Sequence, residues 1–349
     1  MNIYIPSINF NLADKRQLFI ATRPFFLETS WGNNSAQKTK WNVTDNYVDD
    51  INKAQVLFIP DPINNYSIKA LKSINELCKK HNIKGYGYIT GDYGCLFPNF
   101  DSIVYFRVGG FTQQLPENNI GLPVALSDIF ENLYKDIDFE ARKKQELPNI
   151  GFCGHASMSF KKRFKDKLVF AKKNVFRFFQ NPFRIDYETL FASAYERFRL
   201  LKTLENSSKV KTNFIYRKKY RAGATTKEIR IQTNKEYYEN IRQSDYVLCV
   251  RGSGNFSVRF YETLMMGRIP IFIDTNCLLP FVDQIDWEKH MVFIPWKKRH
   301  EIARIVSEFH NSMSEEEFKQ LQHSNRSLWK NSLSVSCVFQ YIRKKTIKE

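Results

Sequence analysis

Apolar positions along this chain recur in two rhythms, short unbroken runs and repeats every three to four residues, and the two alternate. QVLFIP at 55–60 is an unbroken run of the kind buried on both faces of a parallel sheet. SIKALKSINELCKKHN follows with Ile68, Leu71, Ile74 and Leu77 three apart, a helical spacing, and Gly85 is expected to end that helix before the strand-like YGYIT. NIYIPSINF near the start alternates like an edge strand, and SIVYFRV and IGLPVAL supply further short strands or loops. Strand, helix, strand in this order predicts a right-handed parallel arrangement.

The pattern then begins again. After EARKKQELP come NIGFCGH at 149–155, basic amphipathic helices, VKTNFIY, the helix KEYYENIRQS and the run DYVLCV. A boundary is expected near 145–149, where a charged run meets Pro148. The organisation expected is α/β, with Rossmann-like domains at 1–148 and 149–330 and a tail at 331–349 packing back on the first. At roughly 150 residues per domain the length, 349, suits two cores and a cleft between them. SEEEFKQLQHSNRSLWKNS opens with a capping box, Ser314 accepting from the amide of Glu317 while Glu317 reaches back.

Composition narrows the partners. At 43% hydrophobic and 15% aromatic the chain folds rather than remaining disordered. No run approaches the roughly 20 apolar residues that cross a bilayer, and MNIYIPSINF lacks the features of a signal peptide, so a cytoplasmic location is expected. Six cysteines without a CxxC pair suggest neither a zinc site nor a disulfide framework. A net charge of +17 suits nucleic acid, an anionic membrane surface or an anionic substrate, although an AT-biased genome that inflates lysine gives the same excess. No nucleic-acid motif accompanies the charge, so nucleic acid is the weakest of the three. The basic, phenylalanine-bearing stretch 161–221 reads as solvated helix faces with an aromatic inner side.

Chemistry concentrates in DYVLCVRGSGNFSVRFYETLMMGRIPIFID, Asp245 to Asp274. A buried strand, a Gly-rich turn and a short helix closed by Gly267 place RGSGNF at the carboxyl end of a parallel strand, where open α/β sheets bind ligands. Gly252 and Gly254 let backbone approach a bound group, and the amides that open the next helix suit phosphate. Arg251 and Arg259 add guanidinium charge for a diphosphate, and Glu262, one turn beyond Arg259, can accept from ribose hydroxyls. The alternative is an ordinary surface pair of Arg259 with Glu262 beside a plain turn.

This stretch, with LLPFVDQIDW at 278–287, resembles the core motif of the exostosin-like glycosyltransferases, inverting enzymes of the GT-B fold. AQVLFIP at 54–60, TGDYG at 90–94, NIGFCGH with Arg163, and NRSLWKNS at 325–332 are similar to further family segments, strongly over 244–287 and weakly before 150. The resemblance implies that Arg251, Arg259 and Glu262 bind the donor, with Gly154 and Arg163 in the same cleft. His155, beside Gly154, is a further candidate to face the diphosphate. Where the family often carries His before the Asp of its first-domain turn, this chain has Gly91, and the family's usual N-terminal membrane anchor is not expected here.

Inverting transfer needs a base for the acceptor hydroxyl and positive charge on the departing diphosphate. Arginines and a helix terminus meet the second need, so no metal is expected; the one Asp-x-Asp, Asp136 to Asp138, lies in a polar run read as surface. Asp92, on a turn after a first-domain strand, is the expected base, with Asp61 as rival. The expected reaction moves a sugar from a nucleotide diphosphate donor, a UDP-sugar for preference, to a glycan or lipid-linked acceptor in surface polysaccharide synthesis, with peripheral contact to an anionic membrane. Fucosyltransferases of similar fold that use GDP-fucose are the alternative enzyme, and a non-catalytic protein holding anionic glycans or membrane surfaces is the alternative of another class.

Overall fold

Residues 2–6, 46–59, 62–92, 94–135, 137–183, 186–218, 220–334, 337, 340–341 and 344 are described by a computed structural model. The chain separates into two units, one of residues 1–127, 278–281 and 332–349, the other of residues 128–277 and 282–331. Residues 128–148, ahead of the boundary expected at Pro148, thus group with the second unit. Each unit is α/β with an all-parallel sheet, as expected of a Rossmann-like domain.

The first sheet contains β1 (Asn2–Tyr4), β2 (Asn46–Tyr47), β3 (Val56–Phe58), β4 (Lys84–Tyr88), β5 (Ile103–Arg107) and β6 (Asn119–Gly121), in the order β2-β1-β3-β4-β5-β6. β1 is flanked by β2 and β3, so it is not the edge strand its alternation suggests; residues 7–10 of that stretch lie outside the described part. The helix α1 (Ile68–Lys80) starts at Ser67, whose hydroxyl accepts from Ala70 N, and buries Leu71, Ile74 and Cys78 against β3, β4 and β5. Ile68 is instead 65% exposed, because spacing by threes drifts off a 3.6-residue turn and the buried face runs through 71, 74, 75 and 78. The helix stop is Asn82, left-handed at φ 51°, whereas Gly85 lies inside β4 under Cys78 Sγ.

The second sheet contains β7 (Asn149–His155), β8 (Lys211–Arg217), β9 (Tyr246–Cys249), β10 (Ile269–Asp274) and β11 (Val292–Pro295), in the order β11-β10-β9-β7-β8. β9 is buried at every position and β10 at all but its last, which is why both read as unbroken apolar runs. The helices α2 (Phe160–Gln180), α3 (Ser193–Glu205), α4 (Lys227–Arg242) and α5 (Val258–Met265) connect or cover these strands; α4 packs on β7, and α5 on β9 and β10. Gly267, at φ 62°, closes α5 as its sequence position suggests. Farther along, α6 (Ile302–Asn311) packs on β11, and α7 (Glu315–Leu328) begins with the Ser314–Glu317 capping box, both of its hydrogen bonds formed. Among the described residues no helix is long and apolar enough to cross a membrane.

Candidate active site

From β7 the chain goes to β8 on one side, and the next strand, β9, lies on the other. The carboxyl ends of β7 and β9 therefore flank the switch point of the second sheet, the position at which open parallel sheets leave a crevice for ligands. Cys153, Gly154 and His155 end β7, and Arg251 and Gly252 follow β9.

Arg259, in the first turn of α5, reaches back to this point. Its Nη2 donates to Cys153 O at 2.9 Å and its guanidinium lies over the Phe152 ring at 4.2 Å. Gly154 makes room for it, since a Cβ at that position would stand 2.7 Å from Arg259 Nη2. Arg259 Nε is buried without a hydrogen-bond partner. Burial works against its charge, but Tyr237, Cys249 and Glu262 outweigh it and hold the guanidinium above its ordinary pKa.

Glu262 is partly buried, and two neighbouring phenols of α4 fix its carboxylate: Tyr237 Oη donates to Oε2 and Tyr238 Oη donates to Oε1 at 3.1 Å. Arg259 and Glu262 are thus each anchored to the domain interior, not joined as the surface pair that their spacing also allows. Burial raises the Glu262 carboxyl above its ordinary value, opposed by the Tyr237 hydrogen bond and by Arg259. Each carboxylate oxygen accepts one phenol and retains capacity for another donor.

Arg251 is more enclosed, at 3% exposure. Its Nη2 donates to Ser253 O (3.0 Å) and its Nη1 to Thr189 Oγ1 (3.2 Å), and its face covers Phe191 at 4.7 Å. Burial pushes it down to about 10, against the pull of Glu188. In this arrangement Arg251 braces the Gly-rich turn. Gly252 is not held at a left-handed φ, and a Cβ there would meet nothing within 4 Å, so its value lies in the open space above the backbone.

His155 Nδ1 lies 2.9 Å from Arg217 O and its Nε2 contacts Lys162 Nζ. Burial, with Lys162 and Arg197, lowers its pKa below the ordinary value, which favours a neutral ring with Nδ1–H donating to Arg217 O and Nε2 accepting from Lys162. Arg163, in the first turn of α2, stacks over Tyr195 at 4.2 Å. In the first unit Asp92 is exposed on the bend beyond β4. Gly91 before it has φ 106°, a conformation that strains any L side chain and accounts for glycine where histidine is common. Asp61 lies outside the described residues, as does Asp136.

Several supporting residues escaped the sequence reading. Glu188, its side chain fully buried, stands 3.8 Å from Arg177 Nη2 and 4.0 Å from Arg251 Nη2. Arg197 on α3 donates to His155 O (3.1 Å) and Arg251 O (3.4 Å), tying the two strand ends together. Asn255, fully buried, donates to Thr275 O and Asn276 O and so fastens the Gly-rich turn to the loop after β10. The adjacent phenols in KEYYEN were a legible signal; the rest are long-range partners without a local motif.

Comparison with known families now adds a decisive observation: the family model described as Exostosin GT47 domain matches residues 149–309. This segment is similar to an exostosin GT47 domain. It spans β7 to α6 and contains every residue of the switch-point cluster. Similar curated proteins are "Probable beta-1,4-xylosyltransferase IRX10" of Arabidopsis thaliana, 35% identical over 71 residues (20% of this chain, 17% of the relative), and "Probable glucuronosyltransferase Os01g0926700" of Oryza sativa subsp. japonica, 40% identical over 58 residues (17% of this chain, 14% of the relative). The chain therefore spans under a fifth of the length of these relatives. Among solved structures, a glycosyltransferase from Rickettsia africae ESF-5 aligns over 99% of this chain and 97% of its own, at 13% identity and a TM-score of 0.37. The matched segment holds both the Arg259–Gly154 approach and the two phenols on Glu262.

Proposed function

We propose that the protein is an inverting glycosyltransferase that binds the diphosphate and ribose of a nucleotide sugar at the switch point of its exostosin domain and transfers the sugar to a glycan acceptor. The observation that carries this reading is Arg259 laid against Gly154 at the end of β7, one turn from a carboxylate oriented by Tyr237 and Tyr238. A guanidinium there offsets charge developing on a departing diphosphate, and the Glu262 carboxylate accepts from vicinal hydroxyls. The opening amides of α5 add partial positive charge, since Ser257 makes no side-chain cap. These groups act without a divalent cation in this reading, and Asp92 takes the acceptor proton.

Xylose and glucuronic acid, named in the plant relatives, head the donor panel. Each UDP-sugar is incubated with the protein, with and without excess chelator, alongside GDP-fucose, and release of the nucleotide is followed. Release from a UDP-sugar that persists in chelator, and that Asp92→Asn abolishes with an acceptor present, is the expected result. Release from GDP-fucose alone transfers the assignment to fucosyl transfer. Thermal stabilisation gives a second readout: UDP at about 100 times its dissociation constant adds about 2.7 kcal/mol to stability. No stabilisation by any nucleoside diphosphate would favour a non-catalytic glycan-binding protein.

A further inference from the structure

Of the phenylalanines of the basic helix α2, only Phe170 turns inward. Phe170 and Arg177 mark its buried side, while Phe160, Phe164, Leu168, Val175 and Phe179 form a stripe on the opposite part of the helix with spacings of four and seven. Phe164 is 66% exposed and Phe179 80% exposed, and Phe183 just beyond the helix is 91% exposed. The expectation of solvated faces with an aromatic inner side is thus reversed. Over Phe160 to Phe179 the stripe extends about 28 Å at the helical rise. Lys161, Lys165 and Lys172 line one edge of it, all exposed.

We infer that this face of α2 docks on an anionic membrane surface, the phenyl and aliphatic groups entering the headgroup boundary while the lysines meet lipid phosphates. Large exposed apolar stripes are rare on soluble monomers unless they have a partner. An apolar row edged by lysines is the pattern of helices that lie in a lipid interface. A second copy of the chain fits poorly, because pairing this face with itself would bring the same lysines together on a protein already at +17. A free anionic glycan would engage the lysines but gives Leu168 and Val175 no hydrocarbon to enter. The helix is far too basic to span a bilayer, so the contact is peripheral. The inference stands apart from the proposed chemistry: it concerns where the protein sits, and its test contains no nucleotide.

The full chain is mixed with vesicles of phosphatidylglycerol or of phosphatidylcholine and the bound fraction is measured by flotation. Binding to phosphatidylglycerol, absent for phosphatidylcholine and weakened by salt, is expected. Phe164→Ser and Phe179→Ser should each lower vesicle affinity by about tenfold, the loss of one ring from the interface. The double variant Lys165→Glu/Lys172→Glu should abolish binding to the anionic vesicles, which keeps the test decisive if a phenylalanine variant folds poorly. Failure of the wild-type chain to bind phosphatidylglycerol would overturn the inference, as would equal binding by all the variants. A wild-type dimer that Phe179→Ser converts to monomer, without vesicle binding, would show that a second copy covers the stripe.

Discussion

At Gly154 a single added methyl group would meet the guanidinium of Arg259 at 2.7 Å. That guanidinium is the far end of a flexible side chain, so it can retreat, and the substitution tests function more than folding. Gly154→Ala should weaken affinity for a nucleoside diphosphate by about tenfold or more, the loss of a well-placed charge-assisted contact, with little change in melting temperature. Unaltered UDP affinity would detach Arg259 from the proposed site. Glu188 makes a different prediction. Removing it leaves Arg177 and Arg251 facing one another in the interior, and breaking a buried ionic cluster from one side costs about 3–5 kcal/mol. Chemical denaturation of Glu188→Ala measures this loss; a change below about 1 kcal/mol would mean that the cluster contributes little.

The elements show which parts of the fold could be foreseen. β3 and β9 were legible because strands buried on both faces have no polar side to disguise them, and the Ser314–Glu317 box because capping is local chemistry. α1 was placed correctly, but its stop was assigned to Gly85, since the sequence cannot show that Asn82 adopts the left-handed turn. The neighbours of β1 were misjudged for a similar reason: an alternating pattern reports one polar face, not how many strands lie alongside. Of the site, Arg251, Gly252, Arg259 and Glu262 stood out by spacing on one strand-turn-helix segment. What holds them comes from β7, α3, α4 and the loop after β10, at separations of 20 residues and more, where no spacing rule operates. α2 itself was read with its aromatic side inward, because periodicity identifies an apolar face but not whether anything covers it.

For the whole molecule, the response to acid follows from buried histidines. His310, fully buried, places Nδ1 3.0 Å from Tyr246 Oη and Nε2 2.8 Å from Gln145 O, and burial lowers its pKa, as it does that of His155. A folded-state pKa below the ordinary value of about 6.5 means that the unfolded chain takes up these protons first. Their contribution to stability is complete above that pH and is lost as the pH falls toward the lowered folded-state values. Melting temperature should therefore decline below about pH 6.5, and His310→Gln, less stable at neutral pH, should show a shallower decline. An equally steep profile in the variant would assign the acid response elsewhere. Glu262 has the opposite sign: its raised pKa favours folding when protonated, an advantage lost as the pH rises through its folded-state value.

The excess positive charge draws any polyanion, so salt-dependent binding by itself does not identify the ligand. Calorimetric titration of UDP into the wild-type chain and into Arg259→Ala, at ionic strength high enough to screen the general field, isolates the local site. Saturable one-to-one binding that weakens by about tenfold or more in the variant is the result predicted for a diphosphate held at the β7–β9 switch point. Equal affinities in the two proteins, or no binding of either UDP or GDP to the wild-type chain, would contradict it.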